Sequence, residues 1–226
     1  MPRRPREFEA GIYHVGSHGS DTRHLYLCDD DRIDFLERMS STFWTREIDV
    51  LAYALLGNHY HSLVRIPDAR LSEALQRLHT EYSRQHNRRH RRRAHLFRAH
   101  CFARRVTDDD DLLGVYRYLA RNPVEAGVVD NPLDWRWAST RAHAGLEPAA
   151  IPLHERSLRA ALGDSTTWRH QYARLIQSAA PDPLDATAPP RGRWWVEGEI
   201  ERGGTPGSHS WTDIAGAGFE PATSGL

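Results

Sequence analysis

The chain has 226 residues, with 30 basic and 30 acidic side chains and a formal net charge of zero. All the basic residues are arginine, and the two cysteines, Cys28 and Cys101, make no local pair or metal motif. The longest apolar run, residues 50–56, is far short of the roughly 20 residues a membrane span needs, and no apolar segment follows the basic start Met1-Pro2-Arg3-Arg4-Pro5-Arg6, so neither a spanning helix nor a signal peptide is expected.

In chain order, residues 10–16 read as a strand, with Ile12, His14 and Gly16 on one face and Tyr13 and Val15 on the other. Residues 30–45 have helical spacing, with Ile33, Leu36, Met39 and Phe43 on one stripe after an acidic start. Residues 48–56 form a strand too apolar to alternate, hence buried in a sheet. Gly57-Asn58 signals a turn, and residues 59–66 continue as a strand. A second helix spans residues 71–87 with Leu71, Leu75, Leu78 and Tyr82 inward, and a short strand follows near 101–106. A third helix runs from the aspartates at 108–111 to Arg121 and ends at Asn122-Pro123. This order predicts an α+β sandwich, with helices on one face of a mainly antiparallel sheet. Residues 153–162 and 167–177 can form short helices, and from Ala179 onward proline, glycine and aspartate dominate, as in a linker and disordered tail. Codons for Gly218-Phe219-Glu220-Pro221 can read as the reverse complement of a transfer-RNA T-arm, so the reading frame is expected to end in sequence shared with a tRNA gene.

Zero net charge conceals an uneven distribution. Residues 76–105 carry ten arginines, among them Arg77, Arg84, Arg88, Arg89, Arg91, Arg92, Arg93 and Arg98, against the single acid Glu81, a local charge of +9. Guanidinium groups match phosphate oxygens bidentately and stack on bases, so this density points to a phosphate-bearing partner rather than a merely solvated helix face.

Two motifs carry chemistry. In Asn58-His59-Tyr60-His61, period two sends both histidines to one face, where two imidazoles can share a metal ion. A pair of strand histidines with no ligand role is the competing reading. On the third helix, Leu112, Tyr116 and Leu119 share the apolar stripe, whereas Tyr118 lies off it with Asn122 one turn further on the same face. A tyrosine at the margin of the core can be a nucleophile if its phenolate is stabilised, since a free phenol titrates near about 10.

Taken in order, Gly11-Ile12-Tyr13-His14-Val15, Asp31-Arg32 through Phe35-Leu36, Asn58-His59-Tyr60-His61, His95-Leu96-Phe97, Tyr118-Leu119-Ala120-Arg121-Asn122-Pro123-Val124 and Trp137-Ala138-Ser139-Thr140 resemble the REP-associated tyrosine transposases. These are relatives of the single-strand insertion-sequence transposases, and the resemblance covers residues 3–142. It implies a ferredoxin-like α+β sandwich, with a transposase-like HUH nuclease domain over 1–142, a helical extension over 143–178 and a tail over 179–226. It further implies Tyr118 as nucleophile, His59 and His61 as metal ligands, Asn122 as auxiliary ligand, and Mg²⁺ or Mn²⁺ as cofactor. The implied activity is cleavage and rejoining of single-stranded DNA that carries hairpin-forming repeats, through a 5′-phosphotyrosine intermediate. The arginines named above would contact phosphates, and the protein would be a cytoplasmic, nucleoid-associated monomer or weak homodimer. Leu56-Gly57 stands where the family has Met-Pro, and His18 where an arginine is common, differences that bear on substrate choice. The competing functions are a non-catalytic single-strand binder on the same fold and a metal-dependent hydrolase that activates water.

Overall fold

The structure, a computed structural model, describes residues 8–178 apart from 21–22, 94 and 100, so the expectations for the tail and for its tRNA-like end lie outside the described residues. Four antiparallel strands form one sheet in the order β2-β3-β1-β4: β1 (Gly11–His18), β2 (Asp49–Leu55), β3 (His59–Ile66) and β4 (Phe102–Arg105). With α1 (Asp29–Trp44) between β1 and β2, and α2 (Leu71–Arg89) between β3 and β4, this is the β-α-β-β-α-β order of a ferredoxin-like sandwich. The hairpin at Gly57-Asn58 joins β2 to β3, closed by a Leu56 N–H bond to the His59 carbonyl at 2.9 Å.

Alternation along β3 assigns the two layers. Tyr60, Val64 and Ile66 join α1 and α2 in one core, while Leu63 faces the other way. Helix α2 contributes Leu71, Leu75, Leu78 and Tyr82 to the first core, as its spacing predicts. Helix α1 contributes Phe35, Leu36, Met39 and Phe43, but Ile33 is 45% exposed and leaves the predicted stripe. The cause is Asp31, buried against the end of α2. Residues two apart on an α-helix point about 200° from one another, so burying 31 and 35 turns 33 to solvent.

The opposite face is covered as well, which corrects the expectation of helices on one face only. Helix α3 (Asp109–Glu125) packs Leu112, Val115, Tyr116 and Leu119 against Leu51, Ala52, Ala54 and Leu63. A register shift between Val50 and Ala52 lets β2 fill both cores, which explains its unbroken apolar run. Beyond α4 (Thr140–His143), α5 (Arg156–Ala161) and α6 (Trp168–Gln177) bury Leu158, Trp168, Tyr172 and Ile176 in the same second core.

Helix α3 starts at Asp108, whose carboxylate accepts the Asp111 N–H at 2.8 Å. It does not stop at Asn122-Pro123 but runs one more turn to Glu125. Proline removes one donor near the end of the helix, and the turn closes through Gly127 at φ +67°, with the Val128 N–H on the Pro123 carbonyl at 2.9 Å. Among the described residues, no helix is long and apolar enough to cross a membrane.

Candidate active site

Strands β1 and β3 are central neighbours, and their register sets His18 opposite His59 and Gly16 opposite His61. The His18 and His59 rings stack with centroids 4.4 Å apart and planes 5° from parallel. His14 reaches diagonally across the strands, its Nε2 3.0 Å from His61 Nδ1. Gly16 makes this reach possible: a Cβ there would lie 2.7 Å from the Tyr60 carbonyl and 2.8 Å from His61 Nδ1. Four imidazoles therefore line one patch of the sheet, where the His-x-His motif announces two. Sequence reading placed His14 and Gly16 on one face of their strand but assigned His14 no role; the missed signal is the period-two series His14, Gly16, His18.

Helix α3 lays its polar margin over this patch. Asn122, itself buried, brings Oδ1 to 3.1 Å from His59 Nε2, and the Tyr118 hydroxyl lies 3.4 Å from His61 Nε2. The Tyr118 ring meets those of His14 and His61 edge-on at 5.5 and 5.3 Å. Tyr116 is fully buried, its hydroxyl donating to the Leu51 carbonyl at 3.3 Å, so the two neighbouring tyrosines face different surroundings. All four residues expected to form the centre, His59, His61, Tyr118 and Asn122, come together from a strand and a helix that are far apart in sequence.

Burial governs the charge of the imidazoles. Desolvation lowers His14 to about 3, with the Arg104 cation adding to the effect, and lowers His18 to about 2, with His59 and Arg98 adding. It lowers His59 to about 4 although the Asn122 amide oxygen favours the protonated ring, and holds His61 well below the usual imidazole range, with His14, His59 and His18 contributing. At neutral pH the rings are uncharged and each keeps one lone pair. His59 Nδ1 is 2.8 Å from Asn58 Oδ1, an acceptor that fixes the proton on Nδ1 and leaves the Nε2 lone pair toward Asn122. If His61 donates Nδ1–H to His14, its Nε2 lone pair is likewise directed at the site. Two neutral imidazole nitrogens and one amide oxygen, converging from buried positions, fit a divalent cation. His61 Nε2 has a single lone pair, so it serves the phenol or a cation, not both.

These shifts predict acid sensitivity. An unfolded histidine takes up its proton near about 6.5, whereas the folded rings resist protonation to much lower pH, so the unfolded state binds more protons in between. Stability contributed by the four rings is complete above about pH 6.5 and declines as pH falls, by at most on the order of 5 kcal/mol per pH unit for all four together. In chelator-treated protein, the urea midpoint is expected to drop steeply between about pH 6.5 and 5. A flat profile over that range would contradict neutral buried rings.

The predicted phosphate-contacting arginines do not all gather at this centre. Arg77, Arg84, Arg88 and Arg89 lie on α2, across the sheet from His59 and His61. Arg77 pairs with Glu81 at 2.7 Å, and Arg89 is tied to Asp31 at 2.6 Å. Arg91, Arg92 and Arg93 are exposed on the turn after α2. The segment then returns to the site: Gly19 and Phe97 form an isolated β-bridge, and the Arg98 N–H donates to the His18 carbonyl at 2.9 Å. Arg98 is thus the predicted arginine whose backbone joins the histidine patch. Arg104, opposite His14 on β4, is held by Asp111 through two bonds of 2.7 and 2.8 Å.

The sandwich thus carries a strand histidine pair faced by a helical tyrosine and asparagine. Residues 13–122 match the family model described as "Transposase IS200 like". Among solved structures the chain is similar to a REP-associated tyrosine transposase bound to a REP hairpin, at a TM-score of 0.56 and 15% identity, covering 66% of this chain and 88% of that one. At that identity the likeness establishes the shared fold. No curated protein matches the chain.

Proposed function

We propose that this protein is a metal-dependent strand transferase for single-stranded, hairpin-containing DNA, with Tyr118 as nucleophile and His59, His61 and Asn122 as cation ligands. The observation that carries this reading is the convergence of α3 on the strand pair, with Asn122 Oδ1 3.1 Å from His59 Nε2 and the Tyr118 hydroxyl 3.4 Å from His61 Nε2. The match of residues 13–122 to a transposase family model and the hairpin held by the similar solved structure support DNA as the partner.

In the proposed reaction, Mg²⁺ or Mn²⁺ held by His59, His61 and Asn122 would polarise the scissile phosphate and offset the charge that builds up in the transition state. The Tyr118 oxygen attacks phosphorus in line; the new O–P bond forms as the bond to the 3′ oxygen breaks. The phenol gives up its proton and the departing 3′ oxygen gains one, leaving a 5′-phosphotyrosine and a free 3′-OH. One phosphodiester replaces another, so a 3′-OH can reverse the step and join strands. His14 positions His61 through the 3.0 Å bond, and His18 braces His59 by stacking. Arginines of the 76–105 segment would hold phosphates, with aromatic rings stacking unpaired bases.

The test is a single-stranded oligonucleotide flanked by a hairpin, labelled at its 3′ end and incubated with Mg²⁺ or Mn²⁺. The expected product is a denaturant-resistant protein–DNA band that disappears with chelator. Cleavage without that band would indicate a hydrolase using activated water. A shifted native band with no cleavage, across varied hairpins and either metal, would indicate a binder.

A further inference from the structure

On the sheet face opposite the candidate active site, Cys28, Asp31 and His90 bring a thiol sulfur, a carboxylate oxygen and an imidazole nitrogen within 4.8 Å of one another. Cys28 caps the start of α1, Asp31 lies in its first turn, and His90 caps the end of α2. One turn before His90 on the same helix, His86 is fully buried and neither of its ring nitrogens has a hydrogen-bond partner. Its Nε2 lies 4.0 Å from Asp31 Oδ2, and its ring centroid is 4.6 Å from that of His90. A buried imidazole with both nitrogens unsatisfied costs free energy unless something else meets it.

The geometry points to a second metal site that takes zinc, made by Cys28, Asp31 and His90, with His86 adjoining Asp31 as the fourth donor. Two residues from the start of one helix and two spaced by four on another supply S, O, N and N donors, a set suited to tetrahedral zinc rather than to magnesium or manganese. Thiolate and carboxylate balance the charge of the dication, with both imidazoles neutral; burial lowers His86 to about 4, in keeping with that state. The end of α2 also contributes the negative pole of its helix dipole. Asp31 Oδ1 already accepts from Arg89 at 2.6 Å, and Oδ2 accepts the Leu27 N–H at 2.8 Å, bonds that orient the carboxylate. His90 Nε2, 2.9 Å from Asp31 Oδ2, would exchange its proton for the ion. The ion would staple the start of α1 to the end of α2, where the exposed Arg91–Arg93 turn begins.

The purified full chain should retain about one zinc per molecule through dialysis, a content that His59→Ala/His61→Ala leaves unchanged. Cobalt substitution should give a thiolate-to-metal charge-transfer band that Cys28→Ser removes and Cys101→Ser keeps. His90→Gln should lower zinc content at least tenfold while far-UV circular dichroism reports an intact fold, so the proposal stays testable if Cys28→Ser misfolds. Absence of bound zinc and of the cobalt band, or a band indifferent to Cys28→Ser, would leave only an ion-pair network here and overturn the site. Zinc lost with His59→Ala/His61→Ala instead would move it to the other face of the sheet.

Discussion

Replacing Tyr118 with phenylalanine is expected to abolish covalent adduct formation, by at least about 10⁴-fold in rate, while the hairpin oligonucleotide still binds within about twofold. The substitution keeps the ring that meets His14 and His61 edge-on and removes only the hydroxyl. The bond it loses, 3.4 Å to His61 Nε2, is long and partly exposed, so the fold should lose no more than about 1 kcal/mol. Tyr116→Phe is the informative control. Its hydroxyl is buried on the Leu51 carbonyl and burial pushes its phenol up, away from ionisation, so the adduct should form as in the parent. Denaturing gels of 3′-labelled DNA report the adduct and native titrations report affinity. An adduct that survives Tyr118→Phe would assign the chemistry to another nucleophile, with Tyr116 next to be tested.

A chain ending at residue 142 is expected not to fold cooperatively, in contrast to the full chain. The sequence suggests a break near 142 because the family-like text stops there. In the structure, Leu158, Trp168, Tyr172 and Ile176 are buried against the outer side of α3. At about 1.5–3 kcal/mol for each fully buried side chain, their loss removes a gross contribution comparable with the 5–15 kcal/mol that typically separates folded from unfolded domains. Removal also takes away His143, whose ring packs edge-on against Tyr116, and breaks the 2.8 Å bond from Arg117 to the Ser178 carbonyl. Because α3 carries Tyr118 and Asn122, loosening it would also disperse the candidate centre. Thermal melts of the shortened and full chains decide the matter: a cooperative transition for the 142-residue chain within a few degrees of the parent would show that α5 and α6 are dispensable.

What the sequence made legible is what period and punctuation encode locally. Strand β3 was read to the residue because Gly57-Asn58 marks its start and alternation carries it to Ile66. The pairing of Tyr118 with Asn122 follows from helical spacing alone. Illegible were features fixed by distant partners. Ile33 looked like core because nothing nearby in sequence says that Asp31 is the residue the end of α2 covers. His14 and His18 became part of the centre only through the β1–β3 register, and Cys28 gained His90 as a neighbour only because α1 and α2 lie side by side. The arginines illustrate the same limit. A +9 segment was plain, but its division between an outer helix face, an ion pair with Asp31 and a return beside His18 depends on the path of the chain.

The β1–β3 register has one more consequence. Side chains alternate along both strands, so sliding either by a single residue would turn His59 and His61, or His14 and His18, to the layer of α1 and α2. A one-residue slip does not displace the centre slightly; it separates the imidazoles onto opposite faces. A copy paired one residue out of register would therefore lack the proposed centre altogether.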